Sequence, residues 1–230
     1  SVDLSLSLFQ KLSGLKLEAG SFGVGNFFLP KDPAFHKAAI SLIDRIISNA
    51  GFNILKTRDL PVDNTAIGAR AVKCQLTIKQ WIFKAPCGVL DAQLDKLIQA
   101  LLLEIEVEAF SNPDLAGLYP LSLSARMQVF KGRLNSWEII PYFKDLNDID
   151  HAIHTMYFHT RFSTNTDPHP SMAQPFRLMA HNGELNTDKK NRLSETAVAL
   201  ARNKSIVRPN GQSDSCRLDQ ALSSRGFEDG

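Results

Sequence analysis

The spacing of hydrophobic residues predicts two long helices in the N-terminal half of the chain. The first is predicted to have Asp32 as its N-cap and Pro33 as its first residue, and to end near Gly51. The second is predicted for residues 90–110, where hydrophobic residues recur on one face. The residues of that face are Leu94, Leu97, Ile98, Leu101 and Ile105. Such faces are typical of helices that pack on a hydrophobic core, so neither helix indicates a cofactor site.

Strands are predicted around these helices from alternation and from the content of β-branched and aromatic residues. In the first half of the chain they are residues 2–8, 19–29, 52–57 and 75–83. Glycines in the second of these segments allow another part of the molecule to approach the backbone closely. Residues 58–68 are predicted to form a loop. The first helix and the strands on either side of it predict a β-α-β arrangement.

The second half of the chain is predicted to contain shorter elements and more loops. Strands are predicted within residues 122–132, 151–162 and 175–186, each of them leading into a polar turn or loop. Helices are predicted for residues 188–203 and from about Ser215 onward. Polar side chains therefore concentrate at the ends of these predicted elements.

Composition and charge exclude several classes of protein. With 43% hydrophobic and 22% charged residues, the 230-residue chain is typical of a folded globular domain. Its net charge of +2 and the lack of a basic stripe argue against a nucleic-acid partner. No segment approaches the ~20 apolar residues that span a bilayer, so no membrane role is expected. Three cysteines, an odd number without a pairing pattern, favour a reducing compartment and predict a cytoplasmic protein.

Three polar clusters carry the candidate chemistry. They are residues 159–166 (HTRFSTNT), 180–186 (AHNGELN) and 211–215 (GQSDS), and each follows or interrupts an apolar segment. Polar groups at strand ends and in loops can be aimed at a small molecule by a rigid scaffold. We therefore predict that the three clusters form a binding site.

Individual residues of these clusters suit the binding of an amino acid. Arg161 can form a bidentate pair with a carboxylate, and Asp214 can bind an ammonium group. The side-chain amide of Asn182 and the backbone N–H of Gly183 resemble the oxyanion hole that acyl transfer requires. Each residue also has an ordinary alternative, since Arg161 can form a surface salt bridge, Asn182-Gly183 a tight turn, and Asp214 the cap of the last helix.

A metal site is not predicted. His154, His159 and His181 are possible ligands, but the first two lie five residues apart on a predicted strand and would face opposite sides.

All three clusters lie within longer segments that resemble a known family. HTRFSTNTDPHPSMAQPFRLMAHNGELNT and GQSDSCRLDQAL resemble the glutaminase domains of glutamate synthases, which are class II glutamine amidotransferases. GVGNFFLPKDP, ARMQVFKG and YFKDL resemble the same family, although the similarity is weak between Ala34 and Asn112. The resemblance implies that residues 1–230 are one amidotransferase domain with an α+β fold of four α-β-β-α layers, the N-terminal nucleophile hydrolase fold.

The resemblance also implies roles for residues and partners. Arg161 would bind the carboxylate of glutamine, Asp214 its α-amino group, and Asn182 and Gly183 would be the oxyanion donors. The ammonia released would pass to the synthase domains of a longer parent protein, where FMN and an iron–sulfur cluster serve the conversion of 2-oxoglutarate to glutamate. No cofactor is expected in this domain itself.

In this family the nucleophile is an N-terminal cysteine whose own α-amine acts as the base. This chain begins Ser1-Val2, and Ser1 corresponds to a position inside the family's domain. We therefore expect the fold to be incomplete at its N-terminus and the chain alone to be inactive. Ser1 as a serine nucleophile is a less favoured alternative, the internal Cys87-Gly88 pair is expected to be incidental, and Cys216 is expected to pack at the start of a helix.

Two other functions remain open at this point. The same pocket without a nucleophile would be a glutamine-binding or sensing module. A different amidotransferase, feeding purine, amino-sugar or asparagine synthesis, is disfavoured because its matching segments differ from RFSTNT and AQPF.

Overall fold

The computed structural model describes residues 1–160, 169, 172–181, 188–201, 206–208 and 212–225. In chain order the elements are β1 (Val2–Asp3), α1 (Leu6–Ser13), β2 (Phe22–Phe28), α2 (Pro33–Asn49), β3 (Asn53–Asp59), α3 (Ala69–Cys74), β4 (Ile78–Lys84), α4 (Asp91–Ser111), β5 (Tyr119–Ser124), β6 (Met127–Gln128), α5 (Ile139–Tyr142), α6 (Asp188–Ala201) and α7 (Asp214–Arg225). The predicted helices that became α2, α4, α6 and α7 are confirmed.

Four strands form one antiparallel sheet in the order β3-β4-β2-β5. Because β4 pairs antiparallel with both β2 and β3, those two strands run parallel to each other, with α2 as the connection. The predicted β-α-β arrangement is therefore confirmed, with β4 inserted between its two strands. A second, two-stranded sheet pairs β1 with β6.

Helices α2 and α4 pack on one face of the four-stranded sheet. The sheet contributes Phe27, Trp81 and Phe83, which are fully buried against residues of both helices. Phe27 and Trp81 meet edge to face, with ring centroids 5.3 Å apart. Burying each such side chain stabilises the fold by about 1.5–3 kcal/mol. The side chains between these helices and the sheet form the main hydrophobic core.

The start of α2 and one glycine of β2 show how local sequence serves this core. The Asp32 side chain accepts hydrogen bonds from the backbone of Ala34 at 2.9 Å and Phe35 at 3.3 Å, which confirms it as the N-cap. A Cβ on Gly23 would lie 2.6 Å from ring atoms of Phe83, so only glycine allows the close approach predicted for this strand.

The opposite face of the sheet carries a buried chain of polar side chains. Gln80 of β4 donates to Asn26 of β2 at 2.9 Å and to Gln128 of β6 at 3.1 Å. Asn26 in turn donates to the backbone carbonyl of Val129 at 3.1 Å. These bonds fix the two-stranded sheet over the four-stranded one. In the described part of the chain the layers are thus helix, sheet and sheet, while α6 and α7 pack on each other and α7 contacts α4.

The strand predicted for residues 2–8 is wrong beyond Asp3. Ser5 instead accepts a hydrogen bond from the backbone of Leu8 and is the N-cap of α1. In a helix, Leu8 and Phe9 are both buried, and Phe9 contacts Phe22 with ring centroids 5.7 Å apart. The alternating sequence VDLSLSL fits either structure, and packing favours the helix.

Three other predictions also need correction. Residues 58–68 were expected to be a loop, but β3 continues to Asp59, and the short helix α3 that follows was not predicted. The strand predicted for 151–162 is wrong over its described part, residues 151–160, which form an isolated bridge between Met156 and Val2. Residues 175–181 form no strand either. Within the described ranges, no helix is long and apolar enough to cross a membrane.

Candidate functional site

The described residues include the edges of all three polar clusters. They are His159 and Thr160 of the first, Ala180 and His181 of the second, and residues 212–215 of the third. Arg161, Asn182 and Gly183 lie outside the described residues, so their predicted roles stay predictions.

A side-chain contact joins the second and third clusters. The Nε2 atom of His181 lies 2.7 Å from the hydroxyl oxygen of Ser215. His181 immediately precedes Asn182, and Ser215 immediately follows Asp214. Two clusters that are far apart in sequence therefore meet one residue away from the predicted oxyanion donor and the predicted ammonium ligand.

Gln174 connects this contact to the first cluster. Its side-chain oxygen accepts a hydrogen bond from the backbone N–H of His181 at 2.8 Å, and its Nε2 atom lies 3.2 Å from the His181 ring. Gln174 also lines a pocket whose other walls include His159, Thr160 and Lys131. Gln174 therefore contacts the second cluster and lines the same pocket as the first.

The segment that leads into the first cluster is held against β1. The Asp3 carboxylate accepts hydrogen bonds from the backbone of His154 at 3.1 Å and Thr155 at 2.9 Å. Burial opposes its ionisation, but these N–H groups lower the pKa of the Asp3 carboxyl below its usual value. Further on, the backbone N–H of Tyr157 donates to the carbonyl of Ser1 at 2.9 Å. The residues just before His159 are thus fixed by charge-assisted and backbone hydrogen bonds.

Asp214 is the first residue of α7, and its side chain does not cap the helix. The cap is Ser213, whose hydroxyl oxygen accepts a hydrogen bond from the backbone of Cys216 at 3.2 Å. The alternative prediction for Asp214, as a helix cap, is therefore wrong. Its side chain is 53% exposed and lies 3.6 Å from the Arg217 guanidinium. A carboxylate at a helix N-terminus that is half exposed in this way is available to an ammonium group.

Arg177 holds the segment before Asn182 against two helices, and sequence reasoning missed it. Its guanidinium forms ion pairs with Glu106 of α4 and, at 3.0 Å, with Asp219 of α7. Asp219 also accepts a hydrogen bond from the backbone of Leu178 at 2.8 Å. Burial works against the charge of Arg177, but the attraction of both carboxylates raises its pKa. Burial also raises the pKa of Glu106, despite the nearby arginine.

Lys131 is a second charged residue that sequence reasoning missed. It follows β6 and is only 6% exposed, with its ammonium 4.9 Å from the centre of the Phe176 ring. Burial lowers the pKa of Lys131 to about 8, against the opposing effects of Cys216 and Asp219 and with a smaller contribution from the positive charge of Arg177. The lysine lines the pocket described above and an apolar pocket next to Phe28 and Tyr142. Lys131 lies within the ARMQVFKG segment, but neither that motif nor the periodicity indicated that its side chain is buried.

The cysteines occupy different environments. Cys216 is buried, as predicted, and its sulfur lies 3.4 Å from the Tyr119 hydroxyl. Burial raises the pKa of the Cys216 thiol, which disfavours the reactive thiolate. Cys87 is exposed in a turn, which agrees with the prediction of an incidental cysteine.

The reason given against a metal site does not hold, because residues 151–160 are not a strand. His154 and His159 therefore need not face opposite sides. Among the residues that the structure describes, no group of three or more His, Cys, Asp or Glu side chains is placed to hold a metal ion.

Comparison with known proteins identifies the class to which this arrangement belongs. The family model for class II glutamine amidotransferases matches residues 3–224. The chain therefore belongs to the class II glutamine amidotransferases, which makes it part of an enzyme. The resemblance seen in the segments that contain the three clusters is confirmed, and the family implies the N-terminal nucleophile hydrolase fold, with which the observed α+β architecture agrees.

The relatives are glutamate synthases. Glutamate synthase [NADH] of Schizosaccharomyces pombe is 33% identical over 183 residues, covering 76% of this chain and 8% of the relative. Ferredoxin-dependent glutamate synthase 2 of Synechocystis is 31% identical over 165 residues, covering 72% and 10%. The large chain of glutamate synthase [NADPH] of Azospirillum brasilense is 32% identical over 182 residues, covering 79% and 12%. The chain thus spans about a tenth of the length of these relatives.

Proposed function

We propose that this chain is the glutaminase part of a glutamate synthase, in which residues 1–230 form one amidotransferase domain. It hydrolyses the side-chain amide of glutamine to glutamate and ammonia, and the ammonia is used to convert 2-oxoglutarate to glutamate. Family membership and the glutamate synthase relatives support this proposal. The observation that carries it is the contact between His181 and Ser215, since these residues are the neighbours of Asn182 and Asp214.

Four residues hold glutamine in the proposed site. The Arg161 guanidinium binds the α-carboxylate, and the Asp214 carboxylate binds the α-ammonium group. The Asn182 side chain and the Gly183 backbone N–H donate to the amide oxygen, which becomes negatively charged when the carbonyl carbon is attacked. The two charged residues orient the substrate, and the two donors stabilise the transition state. The attacking thiol that this family uses is not assigned to a residue of this chain.

The proposed partners lie outside the chain. Synthase domains of the parent protein carry the FMN and the iron–sulfur cluster, and neither cofactor is assigned to residues of this domain. We place the protein in the cytoplasm, because its three cysteines are free.

The role of Arg161 is tested by combining a substitution with a substrate analogue in the full-length parent enzyme. Loss of a charge-assisted bidentate contact in Arg161→Ala should lower kcat/KM for glutamine by roughly 10- to 100-fold. The wild-type enzyme should use the α-amide of glutamine, which lacks the carboxylate charge, equally poorly. The variant should no longer distinguish the two substrates. Arg126→Ala, which removes a 67% exposed arginine side chain, is the matched control.

Two results would contradict this proposal. One is an Arg161→Ala variant that still prefers glutamine to its α-amide as strongly as the wild type does. The other is a parent protein that binds glutamine but releases no ammonia, which would instead support a glutamine-sensing module.

A further inference from the structure

We propose that His181 is a positioning residue of the glutaminase site, which, through Gln174 and Ser215, fixes the oxyanion donors Asn182 and Gly183 relative to Asp214. The inference rests on the proposed function and deepens it. It assigns a role to a side chain that lies between the second and third polar clusters.

Two side chains contact the ring of His181 at the same nitrogen. The Gln174 side-chain oxygen accepts from the His181 backbone N–H at 2.8 Å, so the NH₂ group of Gln174 is the end that faces the ring, 3.2 Å from Nε2. The Ser215 hydroxyl oxygen lies closer, 2.7 Å from the same Nε2 atom. This shorter contact is the hydrogen bond that joins the second cluster to α7.

One ring nitrogen thus contacts two different parts of the site. Gln174 belongs to the pocket that contains His159 and Thr160, whereas Ser215 belongs to the first turn of α7. Because consecutive Cα atoms are about 3.8 Å apart, a group that holds His181 also restrains Asn182, and one that holds Ser215 restrains Asp214.

A second contact shows that the whole segment lies along α7. Asp219 is one helical turn beyond Ser215, so the two side chains share a face of the helix. Asp219 binds the Arg177 side chain at 3.0 Å and the Leu178 backbone at 2.8 Å. The segment 177–181 is therefore attached to α7 at both of its ends. The contact with Ser215 is the one next to the reacting groups.

This geometry predicts how the loss of the contact affects catalysis. A displacement of about 1 Å of a catalytic group can lower the rate by roughly 100-fold. Asn182 and Gly183 act on the transition state, so misplacing them should lower kcat more than it raises KM. A residue that only stabilised the fold would not lower kcat more than it raises KM.

The test uses the full-length parent enzyme and two substitutions of Ser215. Ser215→Ala removes the hydroxyl that contacts His181 and should lower kcat by roughly tenfold or more, with a smaller change in KM. Ser215→Thr keeps a hydroxyl and should retain most of the wild-type kcat. Ser111→Ala removes an exposed serine at the end of α4 and is the matched control.

A double variant tests whether His181 and Ser215 act as a unit. Since both single changes break the same contact, His181→Leu combined with Ser215→Ala should lower kcat little further than either change alone. If His181→Leu does not fold, the comparison of Ser215→Ala with Ser215→Thr carries the test.

Several results would overturn the inference. They are an unchanged kcat in Ser215→Ala, an equal loss in Ser215→Thr, or fully multiplicative effects in the double variant. A wild-type parent without glutaminase activity would contradict the proposed function itself, which keeps the two failures distinct.

Discussion

Replacing Lys131 with methionine should change how the stability of the domain depends on pH. Lys131 is 6% exposed, and burial lowers its pKa from 10.5 to about 8. At a pH between these two pKa values, Lys131 is protonated in the unfolded chain but mostly not in the folded chain. The contribution of Lys131 to the free energy of unfolding must therefore rise with pH in that window, and below about pH 8 its full unfavourable effect is present.

The size of the effect follows from the difference between the two pKa values. At about 1.4 kcal/mol per pKa unit, a fall from 10.5 to about 8 corresponds to about 3 kcal/mol. Between about pH 7 and about pH 9.5, about 2 kcal/mol of this should be recovered in the wild type. In Lys131→Met this dependence should be absent, because the side chain does not titrate.

Urea unfolding of the wild type and of Lys131→Met over this pH range measures the effect. The difference between their free energies of unfolding should shift in favour of the wild type as the pH rises. Lys84→Met, at an exposed lysine in β4, is the control for removing a lysine without removing a buried charge. A difference that stays constant with pH would refute the assignment of Lys131 as a buried ammonium at neutral pH.

Three further substitutions test the packing that supports the site, each by urea unfolding. Arg177→Met should destabilise the domain by about 3–5 kcal/mol at neutral pH, because Glu106 and Asp219 stay buried without their cation. Lowering the pH should restore part of the lost stability, because the two carboxylates become protonated. A smaller loss of stability than in Arg126→Met, at an exposed arginine, would contradict this. Gly23→Ala should destabilise by about 1–3 kcal/mol, since its Cβ would meet the Phe83 ring at 2.6 Å, and a neutral effect would mean that the ring moves freely. Asp32→Ala should destabilise by about 1 kcal/mol through loss of the α2 cap, whereas an unchanged midpoint would show that the cap is dispensable.

The sequence predicted the main core well because its elements carry strong local signals. In α2 the N-cap at Asp32, the proline that follows it and a long hydrophobic face all indicate the same helix. The strands β2 and β4 are rich in aromatic and β-branched residues and became the centre of the sheet. Local propensity and tertiary packing agree in these segments.

Prediction failed where the neighbouring structure decides the conformation. The segment around Tyr157 has the composition of a strand, but it pairs with the two-residue strand β1 through a single bridge at Met156. The segment around Ser5 can be read as a strand or a helix, and the burial of Leu8 and Phe9 favours the helix. The helix α3 was missed because six residues are too few to show helical periodicity.

The motifs identified the clusters that meet at the contact between His181 and Ser215, but they did not identify the ion pairs that support it. The clusters that contain His181 and Ser215 were identified, and the structure brings these two side chains together. The ion pairs of Arg177 with Glu106 and Asp219 join three segments that are distant in sequence, so no local pattern indicates them. The expectation that the chain alone is inactive stays a prediction.

The central claim is that Asp214 binds the α-ammonium group of glutamine in the site formed by the three clusters. The most direct measurement is kcat/KM of the full-length parent and of its Asp214→Asn variant for glutamine and for glutaramate, which lacks the α-amino group. The wild type should prefer glutamine by roughly 10- to 100-fold, and the variant should lose most of this preference. A variant that still prefers glutamine as strongly as the wild type does would contradict the claim.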